Sequence, residues 1–359
     1  MVKACFILSS YNWGGVTKFV EELCMSLIDL GVESLIVARE VIKPPPNLIS
    51  SHIVELKSPS NWSYCKRLET VIKKEQCEVV NTHDVYSLLG LKNIKNYAHS
   101  CFTYHGIIPF KYTRPADYYG SFLGYLSLLW AAKNVEVAIG ISNYIVNELR
   151  KWGFTRYKYI PVGISVKKFR NGRPLKSIKE DNYPILLDVG QIDKSQGTHI
   201  LINSMPHIIR IFPNAKLLLV GEIVDWNLYY KVMRNDLLRK HVAFTGFVPE
   251  SLLINLYHTS DIVIEVPYWH GFGLPILEGM ACGKPVITRS AYAMKEHIEN
   301  SKGGALIRQD NPHEIVDAII KITNNYDYYA KNALNYAKAF DIKLIAEKYR
   351  KLFHELIKG

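Results

Sequence analysis

The chain is poor in the residues and runs that would make it a disulfide scaffold, a metalloprotein or a membrane span. Six cysteines are scattered through 359 residues with no C-x-x-C pair. They read as small core residues of a reducing compartment. The twelve histidines are mostly isolated, and neither H-E-x-x-H nor any other metal-ligand spacing occurs. The longest uncharged run, "YYGSFLGYLSLLWAA" from Tyr118 to Ala132, is shorter than the roughly 18 residues a spanning helix needs. The opening "MVKACFILSSYNWGG" leads its apolar run into glycines, so it is expected to be a first strand and not a cleaved leader. No block of one charge sign stands out. Residues 1–165 hold 18 Lys/Arg against 13 Asp/Glu, and the remainder 26 against 20, so the net +11 is spread over both halves. Such an excess suits anionic partners, or plain solubility, without choosing between them.

What is present is a repeating order of elements. Close to half the residues are apolar, enough for a sizeable core in each of two domains. "ACFILSS", "SLIVAR", "CEVVNTH", "CFTYHG" and "VAIGIS" read as strands, and Thr17–Leu30 as a helix with Phe19, Val20, Leu23, Leu27 and Leu30 on one face. A second series follows: "PILLDVG", a helix over Thr198–Ile211, "AKLLLVGE", a helix over Asn227–Leu238, "VAFTGF", "DIVIEV", "KPVITR" and "ALIRQ". Apolar strands alternating with amphipathic helices predict parallel sheets covered on both faces. The fold class is therefore α/β with two doubly wound domains. The first spans 1–165 and the second 185–340. Between them 166–184 is polar and basic and is expected to be a linker. A last amphipathic helix, about 341–359, has no strand after it and is expected to cross back to the first domain.

Ligands of such sheets bind at the carboxyl ends of the strands, and the informative residues cluster there. Gly14 and Gly15 follow the first strand, and Gly190 the first strand of the second series. His83, His105 and Ser142 follow later strands of the first series. "HGFGLP" follows "DIVIEV" and opens the helix that carries Glu278. A glycine turn at a helix N-terminus presents N–H groups to an anion, so a phosphate or sugar is expected against Gly271, Phe272, Gly273 and Leu274. "GFGLPI" is no dinucleotide fingerprint, because Ile276 stands where the third glycine belongs. "GMACGKP" is no P-loop, because Pro285 stands where a metal-binding hydroxyl belongs.

Taken together, "GGVTKFVEELCMSLIDLG", "YHG", "AIGISNYIVNELRKWG", "IPVGISVKKF", "LLLVGE", "FTGFVPESLLINLYHTSDIVI" and "GFGLPILEGMACGKPVI" resemble, in order, the motifs of the retaining glycosyltransferases of glycosyltransferase family 4. The resemblance covers nearly the whole chain. It implies the GT-B fold of two Rossmann-like domains facing a cleft. It implies a nucleotide-diphosphate sugar, UDP- or GDP-linked, as donor on the second domain, an acceptor entering from the first, and no obligatory metal or other cofactor. By the same resemblance Glu278 holds the donor ribose, and His105 contacts the donor sugar or its reacting region. Gly14, Gly15, Gly190, Gln191, Lys194, Gln196, Phe247 and Gly271–Leu274 line the donor. Physically, a carboxylate can accept two hydroxyl hydrogens; the ordinary alternative for Glu278 is an acid favoured near a helix N-terminus.

The sequence departs from the family pattern in three places. The first family glutamate is His270, which is expected either to bind a sugar hydroxyl, to pair with a carboxylate on an unusual sugar, or to mark lost activity. In "GQIDKSQG", Gln191 and Gln196 replace the Arg and Lys that usually clamp the diphosphate. Lys194 and Arg289 are the candidate substitutes. The Gly-Gly after the next strand is replaced by Tyr292 and Ala293, while Glu296 still matches. Glu265 is a carboxylate inside an apolar strand, facing the cleft or paired with a base. His83 is an even choice between acceptor contact and structure.

The expected function is thus transfer of a hexosyl-type sugar to the hydroxyl of a glycan, glycolipid or glycoprotein glycan in the cytoplasm. The alternative is a non-catalytic GT-B protein that binds nucleotide sugar or supports a partner transferase; nucleic acid ranks last as a substrate. The stretch Ile107–Trp130 is rich in aromatics and includes Lys111 and Arg114. It suits a lipid headgroup surface or sugar stacking, and so peripheral contact with the inner face of a membrane, but a core helix over Tyr118–Trp130 fits it equally.

Overall fold

The computed structural model describes residues 2–12, 14–42, 52–57, 61–85, 87–112 and 118–359; Arg114 lies outside them. The chain divides into two compact units, Met1–Ser165 with Phe340–Gly359, and Val166–Ala339.

The first unit is built on seven strands: β1 (Lys3–Tyr11), β2 (Glu33–Val41), β3 (Ile53–Glu55), β4 (Val79–Thr82), β5 (His99–Tyr104), β6 (Val137–Gly140) and β7 (Tyr157–Tyr159). They form one sheet in the order β3-β2-β1-β4-β5-β6-β7, every pair parallel. Phe6, Ile7, Ile36, Val37, Val79 and Val80 are fully buried, as strands covered on both faces require. The edge strands β3 and β7 have three residues each, too few for an alternation pattern to mark them in the sequence.

The helix Gly15–Asp29 buries Phe19, Val20, Leu23 and Leu27 of the predicted stripe. The terminal helix Ile342–Lys358 packs on it, burying Ile345, Tyr349, Leu352 and Phe353. Its start is fixed by a bond from Ile342 N to Ile164 O of 2.9 Å and by the Asp341 side chain, which accepts from Lys343 N. Gly163 permits the approach, because a Cβ there would come 2.8 Å from Ile345 Cγ1.

The second unit carries β8 (Ile185–Val189), β9 (Lys216–Val220), β10 (Val242–Gly246), β11 (Ile262–Glu265), β12 (Val286–Arg289) and β13 (Gly304–Ile307), all parallel, in the order β10-β9-β8-β11-β12-β13. Two features differ from the sequence reading. The stretch 166–184 is not a bare linker: Val166–Arg170 and Lys176–Lys179 are helical. Phe169, fully buried, meets the Tyr257 ring edge-on at 6.0 Å, so apolar burial overrides a polar composition. The helix foreseen over Asn227–Leu238 is two, Trp226–Met233 and Asp236–His241. Asn235 breaks it by taking Leu238 N on its own side chain at 3.0 Å, the local competition typical of Asn.

Candidate active site

In each sheet the strand order reverses beside the first strand of its series, at β1/β4 and at β8/β11. Connections leave on opposite faces at such a point, which opens a crevice at the carboxyl ends of the strands. Most residues singled out in the sequence follow strands at or next to these two places, one in each unit; Ser142 and Phe247 lie farther out.

In the second unit the loop Gly190–Gly197 leaves β8 and the turn Val266–Gly273 leaves β11. Tyr268 N bonds Ser195 O at 3.0 Å and ties them together. Asp193, which the sequence reading passed over, holds the first loop by accepting from Ser195 Oγ at 2.7 Å and from Gln196 N at 3.0 Å. Gly197 is left-handed (φ 76°), and a Cβ there would lie 2.2 Å from Val266 O, so the two loops can meet only over a glycine. Gln191 and Lys194 are exposed.

The second loop ends at Gly273, left-handed at φ 90°, which starts the helix Leu274–Ala281 with no side-chain cap and with proline in its first turn. Its first N–H groups therefore lack side-chain partners, as an anion site requires. His297 pins this turn. It is buried, meets the Phe272 ring edge-on at 4.8 Å, and its Nε2 donates to Phe272 O at 2.8 Å. Burial holds its pKa down at about 4, so the ring is neutral and its Nδ1 takes the Tyr336 hydroxyl at 3.3 Å. No spacing rule marks His297; the family pattern stops one residue short of it, at Glu296.

Glu278 lies one turn into the same helix, 4% exposed, and accepts from the Tyr257 hydroxyl at 2.8 Å. Two of the departures from the family pattern prove to touch: His270 Nε2 donates to Gln196 Oε1 at 3.0 Å. Burial lowers the His270 pKa to about 4, so the ring carries no charge near neutrality. The adjacent indole, Trp269 Nε1, is a buried donor without a partner among the described residues.

Arg289 is also a correction. It was a candidate for the missing phosphate cation, but it ion-pairs with Asp310 at 2.6 Å. It also donates to Pro267 O and Val266 O and lies over the Tyr268 ring. Burial would raise the Asp310 carboxyl, but the Tyr268 hydroxyl and Arg289 outweigh it and hold the pKa below its ordinary value. The charge is thus spent inside the fold, and of the two candidates Lys194 is the exposed one. Phe247 is exposed beyond the end of β10, the edge strand. Glu265 finds no base: it accepts from Val189 N at 2.8 Å and lies near buried Asp188. Burial lifts the Asp188 pKa to about 8 and, reinforced by Asp188, pushes that of Glu265 well up.

In the first unit, Gly14 has an ordinary φ of −73° and starts the helix Gly15–Asp29. Its N–H reaches Asn12 Oδ1 at 2.7 Å, and a Cβ would come 2.8 Å from that oxygen. The glycine here makes room for a turn. Ser142 is the N-cap of the helix Asn143–Lys151 and accepts from Ile145 N. His83 Nδ1 and His105 Nε2 are 3.0 Å apart, with the Phe19 ring about 6 Å from both. His83 is thus not isolated: it is buried and is the inner partner of His105.

The helix Tyr118–Asn134 reverses the expected pattern. It buries the small residues Ser121, Gly124, Ser127 and Ala131 together with Leu128. It exposes Tyr119, Phe122, Leu126 and Leu129, which fall on one face, so it is not a core helix. No helix among the described residues is long and apolar enough to cross a membrane.

Family comparisons match these two halves. Residues 13–168 fit the model described as Glycosyltransferase Family 4, and residues 173–340 the one described as Glycosyl transferases group 1. The chain belongs to glycosyltransferase family 4. An uncharacterized glycosyltransferase of Methanocaldococcus jannaschii is 25% identical, over 96% of this chain and 95% of that relative. Among solved structures, sucrose-phosphate synthase from Thermosynechococcus elongatus superposes with TM-score 0.84 at 19% identity, covering all of both chains. Anabaena HepE, solved with UDP-glucose, gives 0.80 at 16% identity over 99% of this chain and 100% of that one. The fold is therefore GT-B, and the protein is a glycosyltransferase. Within this family, the loop that carries Gln191 and Gln196 and the turn that carries His270 are where the chain has changed.

Proposed function

We propose that the protein is a retaining transferase that takes its sugar from a nucleotide diphosphate and passes it to the hydroxyl of a glycan or lipid-linked acceptor. The observation that carries this reading is the start of the helix Leu274–Ala281: an uncapped N-terminus behind left-handed Gly273, with buried Glu278 one turn on. The N–H groups suit the diphosphate and Glu278 the ribose. Lys194 supplies the cation that Gln191 and Gln196 do not, and the neutral His270–Gln196 pair offers hydrogen bonds to sugar hydroxyls. The UDP-glucose complex of HepE supports a UDP-linked donor. His105 serves the sugar being transferred. The exposed face of Tyr119, Phe122, Leu126 and Leu129, in a helix with no acidic residue, suits a lipid-linked acceptor at a membrane surface.

The test is titration calorimetry across UDP- and GDP-sugars, followed by turnover with each donor that binds and assignment of the product anomer. Vesicle sedimentation with Phe122→Ala/Leu126→Ala tests the membrane part. A protein that binds a nucleotide sugar and turns over none, even against water, is the non-catalytic alternative. The replaced cations at Gln191 and Gln196 are the observation that favours it.

A further inference from the structure

A hydrogen-bond chain runs from the terminal helix to His105. The Tyr349 hydroxyl is 3.1 Å from Thr103 Oγ1. Thr103 Oγ1 is 3.0 Å from Asn81 Oδ1, Asn81 Nδ2 is 3.1 Å from His83 Nε2, and His83 Nδ1 is 3.0 Å from His105 Nε2. Tyr349, Thr103, Asn81 and His83 are buried, and His105 is partly exposed.

Every link can point one of two ways, and the buried end decides. The hydrogens of two hydroxyls, Tyr349 and Thr103, both need acceptors, and among the described residues Thr103 Oγ1 and Asn81 Oδ1 are the pair that can take them together. If the Asn81 amide were reversed, its N–H would face Thr103 and one hydroxyl hydrogen would be stranded in the core, an arrangement buried groups avoid. Asn81 therefore presents N–H to His83 Nε2. A neutral imidazole has one hydrogen, so that of His83 is on Nδ1 and goes to His105 Nε2. The hydrogen of His105 is then on its own Nδ1, the nitrogen the chain does not use. Burial lowers the pKa of both rings, that of His105 to about 4, so neither is charged near neutrality. Phe6 and Phe19 flank the His83 ring, and Phe19 also flanks His105.

We propose that Tyr349, Thr103, Asn81 and His83 are positioning residues that lock His105 as the Nδ1–H tautomer, a fixed hydrogen-bond donor for an oxygen of the reacting sugar or acceptor. The use of that donor rests on the transferase reading; the tautomer does not. It also gives the terminal helix a task in the site, since the hydroxyl that orients the chain is on it.

The experiment is nitrogen-15 NMR of the full chain with labelled histidine, the two rings assigned through His83→Gln and His105→Gln. Both rings are expected as neutral Nδ1–H tautomers. Either ring found as Nε2–H, or doubly protonated at neutral pH, overturns the proposal. The variant Thr103→Val/Tyr349→Phe keeps both side-chain shapes and removes both deciding hydrogens. Asn81 is then free to reverse, and a second His105 tautomer should appear; an unchanged spectrum overturns the locking role. With a donor that is turned over, kcat of this variant should fall about tenfold while KM for the nucleotide sugar holds. A changed spectrum with unchanged kcat overturns the use assigned to His105. The spectra decide the tautomer whether or not any donor is turned over, so the two readings fail separately.

Discussion

Replacing Asp188 by Asn should make the second unit more stable at alkaline pH and leave it nearly unchanged in acid. Asp188 is 5% exposed on β8, and burial raises its pKa from 3.8 to about 8. Its neighbour Glu265 on β11 is raised as well, by burial and then by Asp188. Between pH 4 and 8 the folded unit keeps a proton that the unfolded chain has released. The native state then binds more protons, so stability falls as pH rises through this window. What the group contributes is fully present below the unfolded pKa and is lost once pH passes the folded one.

A shift of roughly 4 units at about 1.4 kcal/mol each sets a ceiling of about 5 kcal/mol. Relaxation and water entry reduce this, and a few kcal/mol is the expected effect. For a unit of this size that corresponds to about 5–10 °C in Tm. The amide of Asn has the shape of the protonated carboxyl and no proton to lose. Scanning calorimetry at pH 4.5, 7 and 8.5 is the assay, read on the transition of the second unit. Wild type and Asp188→Asn should coincide at pH 4.5 and separate progressively above it, the variant melting higher. Glu265→Gln should act in the same direction, and the double variant should gain less than the sum, because the two carboxyls interact. Parallel Tm curves for wild type and Asp188→Asn across this range would refute the reasoning.

Glu278→Gln should weaken nucleotide-sugar binding by about 10–100-fold, the value of one or two charge-assisted bonds, with Tm unchanged; titration calorimetry checks it, and a lost fold with intact affinity would make Glu278 structural. Lys194→Ala should cut turnover with little change in stability. Arg289→Ala should instead cost about 1–3 kcal/mol in denaturant titration, because it leaves the carbonyls of Val266 and Pro267 without their buried donor. Gln196→Lys and His270→Glu should each impair donor binding, and the double variant should recover most of it, a coupling read from a double-mutant cycle. Tyr292 holds a left-handed φ of 52° where the family has glycine. Tyr292→Gly should therefore gain about 0.5–1 kcal/mol after the entropy of the freer chain is charged against the relieved strain, measured by urea unfolding.

The strand series and the glycine turn before Glu278 were legible because period and punctuation carry them, whereas the strand order that makes the switch points is set by pairing that no local pattern encodes. Gly197 and Gly273 are glycines for reasons a sequence can suggest, close approach and positive φ. Gly14 resembles them in the string but serves an Asn12 turn at an ordinary φ. The two helices of 166–184 were hidden because one buried aromatic, Phe169, outweighs a polar neighbourhood, and composition averages over it. The helix Tyr118–Asn134 was ambiguous for the opposite reason. Its apolar residues are dense all round, and only the packing of Gly124 against Val85 and Ile107 shows that the small face turns inward. His297 and Asp193 were invisible, since each acts on backbone atoms of a loop that no pattern places beside it.

The altered clamp shows why single positions mislead. Read along the chain, Gln196 is a lost cation and His270 a lost carboxylate, two independent defects some seventy residues apart. In space the two side chains share one hydrogen bond. Their bond helps to join the loop after β8 to the turn after β11 without placing a charge there. What has changed is the charge offered to the ligand, which is lower by one cation and one anion at that point. A matched pair keeps the two loops joined, whereas decay would leave unmatched partners. The neutral, mutually bonded pair is thus the structural reason to look for a donor with an unusual sugar before concluding that catalysis is lost.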